Sequence, residues 1–290
     1  MSSRKACHTD ANLSIKPKVS MSKQRLTVTL SPSTLKGLDR LIDGKQLRSR
    51  SHAIDSILQQ HLLPSINQAV ILAGGKKMND SQFPPLFNYH NQPLLVHLLD
   101  LLIKQSIEQI FVVTTKKGAQ LLTPVLDRYL KINIKVIVEP SPQGTAGALR
   151  LVRPILDHTF FCFHADIFTN IDLNAMAAFH FANQGIATIG VKPKVSQGSF
   201  NSVSTQGSQV TAFKPTNKEV TVSLVNSGIY IFEPAIFSVI PPTEPQMLEE
   251  TVFPKLVQQR ALYAYSFSED WLDITLEPPA NNHNQQKFIN

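Results

Sequence analysis

The sequence predicts an α/β protein: a mostly parallel sheet with helices between its strands, preceded by a small module of one strand and two helices. Three observations carry that expectation. From Pro64 onward, short apolar runs of strand length alternate with longer amphipathic segments. Before Pro64, the stretch Arg25-Leu26-Thr27-Val28-Thr29-Leu30 alternates apolar and polar at every step. Positive charge is segregated as well: residues 1–64 carry eleven Lys/Arg against four Asp/Glu, whereas the remaining residues carry seventeen of each. A local basic excess of this kind points to a polyanionic partner.

Residues 1–22 are polar and aperiodic, the composition of a disordered tail. In the strand that follows, Leu26, Val28 and Leu30 face one side and Arg25, Thr27 and Thr29 the other. Ser31-Pro32 ends it. Ser33 is placed to cap a helix whose Leu35, Leu38, Leu41 and Ile42 share a face, and Asp43-Gly44 stops that helix. Ser49 or Ser51 caps a second helix bearing Ala53, Ile54, Ile57, Leu58 and Leu62, and Pro64 closes the unit at 23–64. So short a unit cannot bury a core alone, and its strand needs a partner, most simply its copy in a second chain. The segment Lys23–Leu63 resembles the ribbon-helix-helix family of DNA-binding dimers, the Arc and MetJ kind. The resemblance implies paired strands in the major groove of double-stranded DNA, with Arg25, Thr27 and Thr29 toward base edges. It also implies that Arg48, Arg50 and Ser51, at the start of the second helix, hold a DNA phosphate. A module that only pairs chains is the other reading.

In the domain expected over 65–277, strands are predicted at Ala69–Leu72, Ile110–Thr114, Lys135–Val138, Phe160–Phe163 and Ala187–Val191. Helices are predicted between them at Leu94–Gln105, Ala119–Tyr129, Ala146–Leu156 and Leu173–Asn183. Residues 192–231, rich in Gly, Ser and Thr, read as a β-rich insertion ending at Tyr230-Ile231. The Asn/Gln-rich tail from Pro278 reads as disordered. Ligands of such sheets sit beyond the carboxyl ends of the strands.

Five segments fall at such ends. Ala69-Val70-Ile71-Leu72-Ala73-Gly74-Gly75 is a buried strand delivering backbone amides at a glycine pair. The others are Glu139–Leu149 with its Gly144-Thr145, Phe163-His164-Ala165-Asp166, Val225-Asn226-Ser227-Gly228-Ile229-Tyr230, and Trp271-Leu272-Asp273-Ile274. In this order and spacing they resemble the sugar-1-phosphate nucleotidyltransferases, over roughly Ile66 to Leu276. The resemblance implies a Rossmann-like, GT-A-like domain that binds an NTP or nucleotide sugar. It implies Mg²⁺ on Asp166 and Asp273. Ala73, Gly74, Gly75, Glu139, Gly144, Thr145, Asn226 and Gly228 would bind substrate, with the backbone at Gly74 and Gly144 near base and phosphate and Glu139 and Asn226 holding sugar hydroxyls or neighbouring loops. The plainer reading of Gly144-Thr145 is helix entry, with Thr145 as the cap.

The chain also departs from the family pattern. The resemblance puts Asn79 where the family's glycine loop has an arginine, Pro84 where it has a lysine, and the loop is short. Lys76 and Lys77 lie in that loop, and Phe213-Lys214-Pro215 resembles a motif whose lysine meets the sugar phosphate, so Lys76, Lys77 and Lys214 are the candidate catalytic cations. Losing two preorganised charges without replacement costs roughly 10⁴ in rate, while ground-state binding suffers less. The expectation is therefore a dimeric, DNA-binding sensor of nucleotides with impaired turnover; the alternative is an active transferase that its N-terminal module pairs. Two cysteines, Cys7 and Cys162, make no disulfide framework, and no apolar run reaches the ~18 residues of a membrane span. Together with a polar N-terminus, these features point to the cytoplasm.

Overall fold

The computed structural model describes residues 27–44, 47–62, 65–74, 83–196, 201–215, 221–242 and 245–276. The chain divides into two compact units, Met1–Asp55 and Ser56–Asn290.

In the N-terminal part, residues 27–30 form no strand within the single chain, whose expected partner is a second copy, and Arg25 lies outside the described residues. A strand exists only in a ladder, and these residues have none; Val28 is 54% and Leu30 37% exposed. Helix α1 spans Pro32–Leu41. Its cap is Ser31, not Ser33, and the Ser31 hydroxyl accepts the Thr34 amide at 3.2 Å. Pro32 explains the shift: its fixed φ and missing N–H suit the first helical position, which leaves the preceding serine as cap. Helix α2 spans Arg50–Leu62. Ser49 caps it, accepting the His52 amide at 3.2 Å.

After α2 comes strand β1, Gln68–Leu72, buried at every residue. A short hairpin, β2 (Asn88–Tyr89) and β3 (Gln92–Pro93), leads into helix α3, Leu94–Lys104. His90 (φ 48°) and Asn91 (φ 64°) both take left-handed backbone in its two-residue turn, as a hairpin loop of that length favours. Then follow β4 (Gln109–Thr115), α4 (Lys116–Leu126), β5 (Asn133–Glu139), α5 (Gly144–Arg150), β6 (Phe160–His164), β7 (Ile167–Thr169) and α6 (Leu173–Asn183). The remainder is β8 (Ala187–Ser196), β9 (Asn201–Gln206), β10 (Gln209–Pro215), β11 (Thr221–Phe232), α7 (Ile236–Val239), a π-helical turn at Leu248–Val252, α8 (Phe253–Gln258), β12 (Leu262–Ser266) and β13 (Trp271–Asp273).

Helix α4 starts earlier than expected because Thr115 caps it, accepting the Gly118 amide at 3.0 Å. Helix α5 is shorter than expected and ends at Arg150, where the chain passes into the 3₁₀ turn Arg153–Ile155 with Pro154 at its start. The main sheet runs β5-β4-β1-β6-β11-β8-β12-β10-β9. The run β5-β4-β1-β6 is parallel, as is the β8–β12 pair, but β11 runs antiparallel to both β6 and β8 and β10 antiparallel to β12 and β9, so the sheet is mixed rather than mostly parallel. The β-rich segment over 192–231 is not a separate insertion. It continues β8 and supplies β9, β10 and the long β11 to this same sheet.

Alternate residues of the central strands enter opposite cores. Val70, Phe111, Phe160 and Tyr230 pack with Ala146, Leu149, Phe253 and Leu256 on one face. Ile71, Val112, Phe163 and Ile229 pack with Leu95, Leu99, Leu122 and Met176 on the other. A strand buried on both faces reads as a continuous apolar run, which is why β1, β4 and β6 were legible from the sequence.

Candidate functional site

Strands β1, β4 and β5 are laid outward in order, and the chain then returns to put β6 on the other side of β1. Helices α3 and α4 belong to one core and α5 to the other, so the direction of winding reverses between β1 and β6. A crevice opens at such a reversal, beyond the carboxyl ends of the strands. Here it is a cleft of about 270 Å³ whose wall includes Ala73 and Gly74 after β1, Glu139 after β5, Gly144 and Thr145 on α5, and His164 and Asp166 after β6. The Leu72 carbonyl accepts the Ala165 amide at 3.2 Å, which ties the two strand ends together.

The two expected metal ligands do meet. Asp273 pairs in register with Ile167, the residue after Asp166, in the β7–β13 ladder. The Asp273 carboxylate spends Oδ1 on its own loop, accepting the Thr275 amide at 2.9 Å, the Thr275 hydroxyl at 2.7 Å and the Leu276 amide at 3.1 Å. Asp166 Oδ1 is buried without a hydrogen-bond partner. Burial pushes the Asp166 carboxyl above the usual range; His164 pulls it down and the Asp273 charge pushes it up. A buried carboxylate oxygen left without a donor, beside a second carboxylate, fits a hard divalent cation such as Mg²⁺, which completes its coordination with water and phosphate oxygens. Among the described residues no cluster of three or more ligating side chains occurs, so the pair would hold the ion jointly with substrate.

Gly74 and Glu139 touch across the cleft wall: a Cβ on Gly74 would fall on Glu139 Oε1. Glu139 is only 6% exposed, and burial raises its carboxyl while the Gln143 amide, donating to Oε2 at 3.2 Å, lowers it. Gly144 takes φ +72°, and its missing Cβ leaves room for the Gln246 carbonyl. That carbonyl accepts the Ala146 amide at 2.9 Å, so the start of α5 is capped by the protein's own backbone. Thr145 is not the cap. Its hydroxyl accepts the Leu248 amide at 2.8 Å and donates to Glu249 Oε2 at 3.3 Å, docking α5 onto the π-helical turn.

Asn226 and Gly228 stand beside the cleft rather than in its lining, on an irregularity of β11 between Asn226 and Tyr230. The Asn226 amide donates to the Tyr230 hydroxyl at 2.8 Å and to Glu249 Oε1 at 3.4 Å, and its Oδ1 accepts the Gly228 amide at 3.3 Å. Gly228, at φ +73°, lies against the His164 ring. Two residues of this cluster escape sequence reading. His164 stands inside a segment flagged for its aspartate, yet it is the only basic side chain among the described residues of the cleft wall. Glu249 adjoins Glu250 in a segment of no strong periodicity, and nothing local tells which of the two turns inward.

Gly75, Lys76, Lys77 and Asn79 lie outside the described residues, and of Lys214 the backbone is described, on β10 opposite Ser202. Of the expected DNA contacts, Thr27, Thr29, Arg48 and Ser51 are exposed. Arg50 is exposed as well, and its guanidinium makes a two-point contact with Asp39 at 2.6 and 2.8 Å, joining the start of α2 to α1 at the surface. Among the described residues no helix is long and apolar enough to cross a membrane.

A family model described as "Nucleotidyl transferase" matches residues 68–275. The chain belongs to that family. It is 28% identical over 222 residues to mannose-1-phosphate guanyltransferase 2 of Candida glabrata, covering 71% of this chain and 61% of that protein. It is 30% identical over 222 residues to the mannose-1-phosphate guanyltransferase of Schizosaccharomyces pombe, covering 71% and 60%. The chain thus spans about three fifths of the length of these relatives. Among solved structures it resembles HddC from Yersinia pseudotuberculosis complexed with GMP-PN, at TM-score 0.60 and 19% identity over 72% of this chain and 94% of that one, a likeness of fold. The match begins at Gln68, so it gives the expected ribbon-helix-helix resemblance no support.

Proposed function

We propose that this chain is a working sugar-1-phosphate nucleotidyltransferase, condensing an NTP with a hexose 1-phosphate to give a nucleotide sugar and pyrophosphate. This replaces the expectation of an impaired DNA-binding sensor. The observation that carries it is the Asp166–Asp273 pair, with its orphaned buried oxygen, at the sheet's switch point. Keeping a buried carboxylate oxygen without a donor is costly for a protein that only binds, and it makes sense where a cation is recruited for phosphoryl chemistry. The relatives' names favour GTP and mannose 1-phosphate as substrates.

In this reading a phosphate oxygen of the sugar 1-phosphate attacks the α-phosphorus of the NTP. A new O–Pα bond forms, the bond from Pα to the β-bridging oxygen breaks, and its electrons leave with pyrophosphate. A divalent ion held by Asp166 and Asp273 would supply charge neutralisation of the phosphate oxygens. Gly74 and Gly144 let the cleft wall close on Glu139 and on the Gln246 carbonyl, where any side chain would collide, and so shape the space left for the nucleotide. Glu139 is an acceptor-only group when ionised, and it suits the paired N1–H and N2–H donors of guanine better than the mixed edge of the other bases. The wall itself is acidic, with His164 its only described base, so further positive charge would come from Lys76 and Lys77 just past Gly74 and from Lys214.

Pairing of two copies through the N-terminal module is favoured by exposed apolar side chains there, Val28 at 54% and Leu41 at 46%. The transferase reading is tested by incubating the pure protein with Mg²⁺, each NTP and a panel of hexose 1-phosphates, and measuring pyrophosphate. Sugar-dependent release with GTP is expected. Absence of release for every pair, with ligand binding retained, would return the chain to a binding role.

A further inference from the structure

The irregular segment Asn226-Ser227-Gly228 is bracketed on two sides. Gly228 lies against the His164 ring, and the Trp271 indole N–H donates to the Ser227 carbonyl at 2.8 Å. His164 and Trp271 each stand two residues before one of the paired aspartates. The segment therefore runs alongside the place where an acceptor phosphate would meet the ion, within reach of the sugar that carries it. Behind it sits Glu249, whose side chain is 9% exposed. Its carboxylate accepts the Tyr230 hydroxyl at 3.1 Å, the Asn226 amide and the Thr145 hydroxyl, and faces His164 Nε2 at 3.8 Å. These partners come from β11, α5 and β6, and no Lys or Arg is paired with Glu249 among the described residues.

The charge has a directional consequence. With Nδ2 toward Glu249 and Oδ1 on the Gly228 amide, the Asn226 side chain has one favourable orientation. A flipped amide would set its oxygen against a carboxylate and its NH₂ against a backbone N–H, both repulsive. We propose that Glu249 is a positioning residue that fixes the Asn226 amide, so that the 226–228 segment selects the hydroxyl arrangement of the sugar 1-phosphate. The inference rests on the transferase reading.

The test compares wild type, Glu249→Gln, Asn226→Ala and the double variant. Each is assayed with GTP and pairs of hexose 1-phosphates that differ at one carbon, and Mg²⁺–GTP binding is measured separately by calorimetry. Glutamine keeps the shape and removes the charge, so either amide orientation becomes tolerable. In Glu249→Gln the KM for the preferred sugar phosphate should rise about tenfold, the scale of one charge-assisted hydrogen bond, and the preference over its epimers should shrink. GTP binding should stay unchanged, and the double variant should be no worse than Asn226→Ala alone. Should Glu249→Gln fail to fold, Tyr230→Phe removes the hydroxyl shared by both partners and should shift the sugar preference the same way. Equal loss toward GTP and sugar, or additive effects in the double variant, would reduce Glu249 to a packing role and overturn the inference alone. A wild type that neither turns over nor binds any hexose 1-phosphate would overturn the transferase reading, and this inference with it.

Discussion

The backbone carbonyl of Asp166 accepts the amide of Ile274 at 3.1 Å. That one bond brings the turn after β6 against the turn after β13, so that each aspartate is set by main-chain geometry. The Thr275 amide and hydroxyl and the Leu276 amide hold Asp273 Oδ1, and Asp166 Oδ1 is left without a partner.

Replacing either aspartate should therefore separate activity from stability. Asp166→Asn and Asp273→Asn should each lower turnover by about 10²–10³, the cost of one preorganised electrostatic group. Asp166→Asn should also raise the melting temperature of the metal-free protein near pH 7. The raised carboxyl of Asp166 is a buried charge that the native state carries at a cost, and the amide removes it. Differential scanning calorimetry with and without Mg²⁺ checks both halves. A metal-free melting temperature that falls would show the carboxylate to be stabilising and the site to be complete without an ion.

Gly74 gives a prediction of opposite sign. A methyl there would displace the Glu139 carboxylate, which sits at the tip of β5 with one oxygen on the Gln143 amide. Gly74→Ala should leave the fold intact, because the conflict is with the end of a side chain, and weaken nucleotide binding by tenfold or so. If Glu139 reads guanine, Glu139→Gln should cut the preference for GTP over the other NTPs, by roughly 1–3 kcal/mol. Competition binding with the four NTPs measures it, and an unchanged order of preference would remove Glu139 from base selection.

How far the sequence shows these relationships depends on their range. Strand β1, with Ala69 through Leu72 buried on both faces, and the glycines after it are local patterns and were legible. The pairing of Asp166 with Asp273 was reached through a family resemblance, since no local rule brings β7 and β13 together. Glu249 was invisible for the same reason: its partners Thr145, Asn226 and His164 are distant in sequence, and only the tertiary fold collects them. The antiparallel course of β11 was missed because a strand's own residues do not record its direction. The strand expected over residues 25–30 was read from alternation, which records a face; its neighbour was expected in a second copy of the chain, and Arg25 and Leu26 lie outside the described residues.

His180 makes the stability of the larger unit depend on acid. Its ring is 1% exposed, with Nδ1 at 2.8 Å from the Thr188 hydroxyl and Nε2 at 3.0 Å from Glu233. Burial lowers its pKa below the ordinary histidine value of 6.5, and Glu233 only partly offsets this. The unfolded chain then takes up a proton at a pH where the native ring stays neutral, so stability is full above about 6.5 and falls as the pH drops below it. Urea melts between pH 5 and 8 should show that slope for wild type and a flatter one for His180→Gln. An identical slope in the variant would place the acid sensitivity elsewhere.

The N-terminal module supplies the last test. Val28, Leu30 and Leu41 remain at least a third exposed. Apolar side chains of this kind, on a segment that lacks a strand partner, are what a second copy would cover. The whole chain should therefore sediment as a dimer, and a version starting at Ser65, just ahead of the matched region, as a monomer with its nucleotidyl transfer retained. Val28→Asp, on the apolar side of the alternating stretch, should also dissociate the dimer, whereas Thr27→Asp on the polar side should not. DNA retention at low salt can be read on the same samples. Loss of retention in Arg48→Ala with the dimer intact would support a DNA contact, while an intact dimer that retains no DNA would leave the module as a pairing device. A monomeric whole chain would show that these exposed residues do not pair two copies.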